Sequence, residues 1–565
     1  MTFVPPLAEQ RFVLDHVADL PALTTHAAFS AVDADMTDAI LHGAGALAAG
    51  EWAPLNRVGD MVGAQWAGGA VTMPPGFREA YGAYVDGGWG TLVAPEAFGG
   101  QALPHALGMA VAESLGAANL SLSLCPMLTA GAIEALLHHG SLEQQAVYLP
   151  KLVSGEWTGT MNLTEPQAGS DVGALRTAAT PAGDGGWRIK GTKIFITFGE
   201  HDLADNIIHL VLARTPGAPA GTKGISLFLV PKFLADGSRN DLRCSSIEHK
   251  LGIHASPTCV MSFGDNDKCQ GWLIGAEGAG MRAMFTMMNN ARINVGLQGV
   301  SVAERATQAA FAYARERVQS PRAGSGSSMP VAIIEHPDVR RMLMRMQAQT
   351  QAIRALLYAS AAEVDRARLG TAGAQTRLDI LTPLAKSHGT DVGCEVASLG
   401  VQIHGGMGFI EETGAAQYYR DIRIAPIYEG TNGIQAADLV SRKLTADKAV
   451  ALKALIGDVL AEAQTPGLIG LANDISVSAD WLLEARTDDR LAASSPFLTM
   501  TSVMVCGWLM ERQNRAAQVA AIREANPFLR SKLATTNWYL AHIVSEAMGL
   551  SAQVRQGARY LYDLN

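Results

Sequence analysis

Cysteine is scarce in this chain: six in 565 residues, at positions 125, 244, 259, 269, 394 and 506. None pairs as Cys-x-x-Cys or falls at a metal-ligand spacing, so neither a disulfide framework nor a metal site is expected. The thiols read as structural ones in a reducing, cytoplasmic compartment. Positive charge is also short. Lys and Arg number 44 against 53 Asp and Glu, a formal net charge of −9, without the basic excess that nucleic-acid binders carry. The segment Met1 to Gln10 has no basic n-region and no apolar h-region, so no secretory signal is expected. Long uncharged runs are few. Leu115–Ile133 and Leu491–Met510 both contain Ser, Thr and a Pro, and read as buried helices rather than membrane spans.

What is present is an ordinary globular composition, 48% apolar and 17% charged, over a length that calls for several cores. Residues up to about 37 form an extension of broken periodicity. Residues 38–157 carry Ala, Leu and Met at helical spacing. From Trp157 the pattern changes to short β-branched and aromatic runs, at Trp187–Lys190, Lys193–Thr197, Ile207–Arg214, Ile225–Val230 and Thr258–Phe263. Turn clusters such as Thr180–Gly186 separate them, which predicts a small antiparallel sheet or barrel over 158–278. Helix returns over 279–445. His336-Pro337 opens a long one, because Pro is tolerated in a first turn, and Gly370 ends it. Ser320–Met329 reads as a Gly/Ser-rich loop. Residues 446–565 read as an added helical domain, with helices near Ala449–Ala463, Leu468–Arg486, Phe497–Ala525 and Pro527–Leu550. The class is α+β: helices, a β module, then more helices.

One carboxylate stands out. Glu429 lies in Ile427-Tyr428-Glu429-Gly430-Thr431-Asn432, within a segment from Ala425 to Ser441 that holds no Lys or Arg. Such a carboxylate is costly to keep charged, so its pKa rises, and a raised carboxylate can take a proton from a weak carbon acid near neutral pH. The plainer alternative is a Glu at a helix entry beside a turn glycine.

Two further stretches bear on that choice: Met161-Asn162-Leu163-Thr164-Glu165-Pro166-Gln167-Ala168-Gly169-Ser170-Asp171-Val172, and Gln402-Ile403-His404-Gly405-Gly406-Met407-Gly408-Phe409. With all three in this order, the chain from about Asp38 to Lys443 resembles the acyl-CoA dehydrogenase family. The part beyond Lys443 is similar to the helical C-terminal extension of a bacterial subgroup of that family.

The resemblance implies an N-terminal helical domain, a central small β-barrel and a C-terminal four-helix bundle, with FAD between barrel and bundle. It implies α,β-dehydrogenation of an acyl-CoA thioester, with Glu429 as base and its backbone N–H holding the thioester carbonyl. The family's other base position falls on Ala291, which cannot serve. By the same resemblance Thr164, with Leu163 and Met161, meets the flavin pyrimidine edge. Ser170 lies near the flavin phosphates and the substrate. Phe195 and Thr197 cover the ring and N5, Phe195 standing where most relatives have Trp. Arg317 and Gln319 reach across a subunit interface, although Ser320-Pro321 replace the usual Phe-Gly. Gln402, Gly405 and Gly406 lie beside the dinucleotide phosphates, and Thr431 and Asn432 bond flavin phosphates or ribityl groups. Arg292 lies near CoA, and Gly430 leaves room for substrate. His404 is expected to be a packed histidine rather than a catalyst. A homodimer or homotetramer and an electron-transfer flavoprotein as acceptor are also implied. The subgroup suggests short or substituted acyl groups, 3-methylmercaptopropionyl among them.

Two other functions compete. An acyl-CoA oxidase would let oxygen reach the reduced flavin. A DNA-associated flavoprotein of the alkylation response would need a basic C-terminal region, whereas basic residues over 446–565 are interleaved with acidic ones.

Overall fold

The β-branched runs after Trp157 form one eight-stranded sheet in the computed structural model, which describes residues 3–563 apart from 184, 525 and the side chains of 289 and 290. Asp184 of the expected turn and Ala525 of an expected helix therefore lie outside the described residues, as do the outermost residues of both terminal segments. A short hairpin, β1 (Gln65–Ala67) and β2 (Ala70–Thr72), precedes the sheet. Its strands are β3 (Trp157–Asn162), β4 (Ala178–Pro181), β5 (Trp187–Thr197), β6 (Asn206–Arg214), β7 (Ile225–Pro231), β8 (Leu242–Ile247), β9 (Thr258–Phe263) and β10 (Gln270–Ile274). The strands run β10-β7-β6-β4-β5-β9-β8, and a β10–β5 pairing closes β10, β7, β6, β4 and β5 into a ring. This is the expected small barrel, with one correction: β3 pairs β6 in parallel, and β4 touches β6 in parallel through Ala178 and Arg214. The two expected strands at 187–190 and 193–197 are one strand, bent by a bulge where its register with β9 shifts between Lys193 and Ile196.

The chain divides into two compact units, one of Met1–Gly45, Pro104–Ala117 and Arg292–Asn565, the other of Ala46–Leu103 and Ala118–Ala291. These units group the chain by packing rather than by order along the sequence. The helix His105–Ala118 leaves its sequence neighbours: Asp365 accepts from the N–H groups of His105 and Ala106 at its start (2.7 and 3.0 Å), and Ser301 bonds Glu113 O (3.2 Å).

In the unit that carries the sheet, Leu128, Ala132 and Leu136 of the helix Leu120–His139 and Leu149 and Leu152 of Leu142–Ser154 form one core with Leu210, Leu212, Leu227 and Leu229 of β6 and β7. Each fully buried leucine contributes roughly 1.5–3 kcal/mol of transfer free energy. Among the described residues Leu120–His139 is the one helix long and apolar enough to cross a membrane, and 67% of its most apolar window is buried in the protein. Its start is capped by Asn119, whose side chain accepts from Leu122 N–H at 3.1 Å.

The other unit is built on three long helices, Gly280–Glu316 from residue 292 onward, Pro337–Arg368 and Ala374–His404. Pro337 stands at the first helical position, and Met342, Met346, Ile353 and Leu357 are buried as the expected core stripe. Glycines let the first and third helices touch: a Cβ on Gly299 would lie 1.9 Å from Gly389 O, and one on Gly296 2.5 Å from Ala385 O. The helices Val450–Glu462, Pro466–Glu484, Ser494–Arg523 and Pro527–Trp538 form the extension. A buried ionic cluster ties it down. Lys532 bonds Glu9 and, at 2.8 Å, Gln513, while Arg354 grips Glu113 (2.7 Å) and Glu304 (2.6 Å).

Candidate active site

Glu429 is carried by a tight loop ahead of the short helix Asn432–Asp438. Asn432 N–H donates to Pro426 O at 3.0 Å and closes the loop, and Thr431 caps the helix by accepting from Ile434 N–H at 3.2 Å. Inside the loop Glu429 has φ 55°, in the left-handed region, and Gly430 follows at φ 83°. A non-glycine residue held there costs about 1–3 kcal/mol, and such strain gathers at functional sites. Glycine at 430 is required by the chain itself: besides the positive φ, a Cβ there would lie 2.8 Å from Gln435 Nε2.

Burial pushes the half-buried Glu429 carboxyl above its ordinary value, and the positive charges of Arg292 and Lys386 oppose that rise. The glycine contacts between the first and third helices bring those two cations to bear on one carboxylate. Arg292 is buried. Its guanidinium is pulled down by desolvation and supported by Asp438 and Glu429. Lys386 is fully buried. Desolvation brings its ammonium down to about 8, against the pull of Asp391 and Glu429. Its Nζ donates to Asn432 Oδ1 at 2.8 Å. Tyr428, next to Glu429, donates its hydroxyl to Gln298 Oε1.

In the other unit, Phe195 and Thr197 stand at the bulge of β5. Phe195 has φ 59° and, although aromatic, is 58% exposed. Lys193, two residues earlier and fully buried, donates to Leu163 O (3.0 Å) and Glu165 Oε1 (2.8 Å), and Ile194 N–H donates to Thr164 O (2.9 Å). These bonds tie the Met161–Thr164 segment to the Phe195–Thr197 segment. Glu165 also accepts from Thr177 and from Arg176 N–H. Burial would raise its carboxyl, but Lys193 and these donors outweigh it and hold it at about 2.

The residues expected from sequence fall into three groups. Glu429, Gly430, Thr431, Asn432 and Arg292 come together in one unit. Arg317 and Gln319 are exposed there, at a strap where Gln319 N–H bonds Val331 O (3.0 Å), and Gln402, Gly405 and Gly406 are exposed at the end of Ala374–His404. A Cβ on Gly405 or Gly406 would meet nothing within 4 Å, so no packing within the chain requires those glycines to be small. In the other unit Met161 is buried, Leu163, Thr164 and Thr197 are half-buried, and Ser170 is exposed. An uncovered aromatic face at a strained bulge, flanked by threonines, suits a flat heteroaromatic ring, so these residues fit a flavin.

The Asn432 side chain is bonded to the helix Ala374–His404: its oxygen accepts from Lys386, and its nitrogen lies within hydrogen-bond distance of Asp391 Oδ1 (2.7 Å), Thr390 Oγ1 (3.0 Å) and Ser387 O (3.2 Å). His404 is buried, with Nδ1 2.7 Å from Gly400 O and its ring stacked on Tyr313. Sequence reasoning missed Lys386 and the Glu165–Lys193 pair. The available signal for Lys386 was a single cation in the otherwise uncharged run Ile380–Thr390.

One unit holds a strained acid facing two buried cations, and the other presents an aromatic platform on its barrel; together these features suit a flavin-dependent oxidoreductase acting on a carbon acid. Three acyl-CoA dehydrogenase domain families match the chain: the N-terminal domain over residues 61–156, the middle domain over 160–266 and the C-terminal domain over 278–444. A fourth, described as acetyl-CoA dehydrogenase C-terminal like, matches 447–565. The chain is 45% identical to 3-methylmercaptopropionyl-CoA dehydrogenase of Ruegeria pomeroyi, over 97% of each chain. It is 36% identical to a butyryl-CoA dehydrogenase of Syntrophomonas wolfei, over 88% of this chain and 87% of that one. Its fold matches Caenorhabditis elegans ACDH-11, solved with C11-CoA, at a TM-score of 0.79 and 19% identity, over 100% of this chain and 96% of that one. The chain belongs to the acyl-CoA dehydrogenase family, a family of FAD-dependent oxidoreductases, and carries an extra C-terminal domain.

Proposed function

We propose that this enzyme removes the α-proton and β-hydrogen of a short or substituted acyl-CoA thioester, with 3-methylmercaptopropionyl-CoA as the first substrate to test. Glu429 carries the reading. It is the acid whose backbone is strained into position and whose protonation is poised between burial and two cations. Glu429 takes the α-proton as general base. Its backbone N–H would hold the thioester carbonyl, and a donor that meets developing enolate charge is typically worth ~3–4 kcal/mol. Bound FAD supplies the acceptor for the β-hydrogen. Met161, Leu163, Thr164, Ser170, Phe195 and Thr197 would hold the ring and its phosphates, with Thr431, Gln402, Gly405 and Gly406. Arg317 and Gln319 would serve the adenosine end in a homodimer or homotetramer. Arg292 and Ser170 would face CoA. The substrate class rests on the 45% identity across nearly the full length of both chains. An electron-transfer flavoprotein as acceptor, a cytoplasmic setting and the absence of membrane or nucleic-acid partners complete the proposal.

A panel of acyl-CoA thioesters, mixed anaerobically with FAD-loaded enzyme, tests it. Fast bleaching of the flavin by 3-methylmercaptopropionyl-CoA and butyryl-CoA is expected. Bleaching only by long-chain thioesters would overturn the substrate assignment. Hydrogen peroxide formed in step with substrate in air would make the enzyme an oxidase.

A further inference from the structure

We propose that Lys386 is a positioning residue for the base: it clamps the Glu429 loop through Asn432 and supplies a buried positive charge to the carboxylate. The inference deepens the proposed function and rests on Glu429 being the base.

The geometry begins with burial. Lys386 lies on the inward face of Ala374–His404, between the buried Leu384, Ala385 and Ser387, and is itself fully buried. A buried ammonium costs several kcal/mol in desolvation unless the fold compensates it. Here Nζ is met at 2.8 Å by a neutral amide oxygen, that of Asn432. Asp391 and Glu429 act on it as the negative charges. The helix therefore holds a cation whose direct partner is the first residue of the helix that follows the Glu429 loop.

Asn432 is bound on every side. Its carboxamide makes bonds to four groups on Ala374–His404, and its own N–H closes the loop onto Pro426 O. Movement of Asn432 would release both the closure and the left-handed conformation at Glu429. A loop that stores about 1–3 kcal/mol of strain needs such an anchor, or the residue would relax out of that conformation. The same lysine then serves electrostatically. The charged groups around the base are Arg292 on Gly280–Glu316, Lys386 and Asp391 on Ala374–His404, Asp438 on Asn432–Asp438, and Arg442 beyond it. Arg292 is already attributed to CoA, so binding of substrate would engage its charge. Lys386, sealed in the protein, keeps its charge beside Glu429 below about pH 8 whether or not substrate is bound.

The test uses FAD-loaded enzyme and anaerobic bleaching by butyryl-CoA as a function of pH. Lys386→Gln should move the rising limb of the bleaching rate to higher pH by about one unit, the usual size for loss of one nearby opposite charge. Lys386→Arg should leave the limb in place, and FAD affinity should stay unchanged in both. Infrared titration of the carboxyl stretch that disappears in Glu429→Gln reads the same ionisation without turnover, and should shift by the same amount. An unmoved limb and an unmoved infrared titration in Lys386→Gln would overturn the proposal. If that variant does not fold, Asn432→Ala decides. The clamp predicts bleaching slowed roughly ten- to a hundredfold, as expected when a reacting group is misplaced, with FAD still bound. Bleaching at the wild-type rate would refute it. Loss of bleaching in Glu429→Gln together with a normal Lys386→Gln would sink this inference alone, whereas normal bleaching in Glu429→Gln would sink the base assignment with it.

Discussion

Replacing Gly299 by alanine tests the link between helix packing and the site. The added Cβ would lie 1.9 Å from Gly389 O and 2.5 Å from Gly389 C. An ordinary carbon–oxygen contact is at least about 3.3 Å, so the helices Gly280–Glu316 and Ala374–His404 must part by roughly 1.4 Å. Overpacking of this kind typically costs ~1–3 kcal/mol, and backbone on both sides puts the cost at the upper end. The clash grades along the contact, with nearest approaches of 2.5 Å for Gly296→Ala and 2.8 Å for Gly389→Ala. Stability should therefore fall in the order Gly299, Gly296, Gly389. Gly457→Ala is the control. That residue lies in the exposed face of Val450–Glu462, its Cβ would meet nothing within 4 Å, and the change should stabilise by about 0.5–1 kcal/mol. The midpoint of urea unfolding, followed by circular dichroism, reads all four. The same helices carry Arg292 and Lys386, so Gly299→Ala should also slow flavin bleaching. An unfolding midpoint for Gly299→Ala equal to wild type would refute the packing argument.

Three further outcomes follow from the β-bearing unit and the buried ionic cluster. Phe195→Gly relieves a left-handed φ of 59° and should raise apoprotein stability by roughly 1 kcal/mol while weakening FAD, as a fluorescence titration would show; unchanged FAD affinity would remove Phe195 from the flavin site. Acid should destabilise this unit in two steps. His201 and His209 are held neutral by burial, both down to about 3, so stability falls as pH drops below their ordinary 6.5, and Glu165, at about 2, adds a further loss below its ordinary 4.5. Urea midpoints measured from neutral pH downward should decline throughout that range, and a flat profile would contradict it. Arg354→Met leaves Glu113 buried without its cation and should cost ~3–5 kcal/mol, whereas a variant with no change in midpoint would show the cluster to be uncoupled from stability.

Much of the architecture was legible because it rests on local pattern. The β-branched runs marked β6, β7 and β9 nearly to the residue, and His336-Pro337 marked a helix start. The strand β4 was hidden in a Pro- and Gly-rich turn signal, since its pairing with β5 is decided by neighbours and not by its own composition. The parallel β3–β6 pairing and the placing of His105–Ala118 with Arg292–Asn565 depend on contacts far apart in sequence, which no window of residues displays. At the site, Glu429 stood out by sequence neighbours that hold no Lys or Arg, while the cations that act on it, Arg292 and Lys386, come from distant helices. The left-handed backbone of Glu429 and that of Phe195 were not legible, because nothing in a Glu or a Phe announces a positive φ. Lys386 was missed for a related reason: a lone cation in an apolar helix reads as a surface residue until Asn432 is seen to hold it.

Glu429→Gln with FAD bound, mixed anaerobically with 3-methylmercaptopropionyl-CoA, tests the central claim most directly. The amide keeps the shape of the side chain and removes the base, so the flavin spectrum should persist unbleached while FAD stays tightly bound. Bleaching at the wild-type rate would show that another group takes the proton.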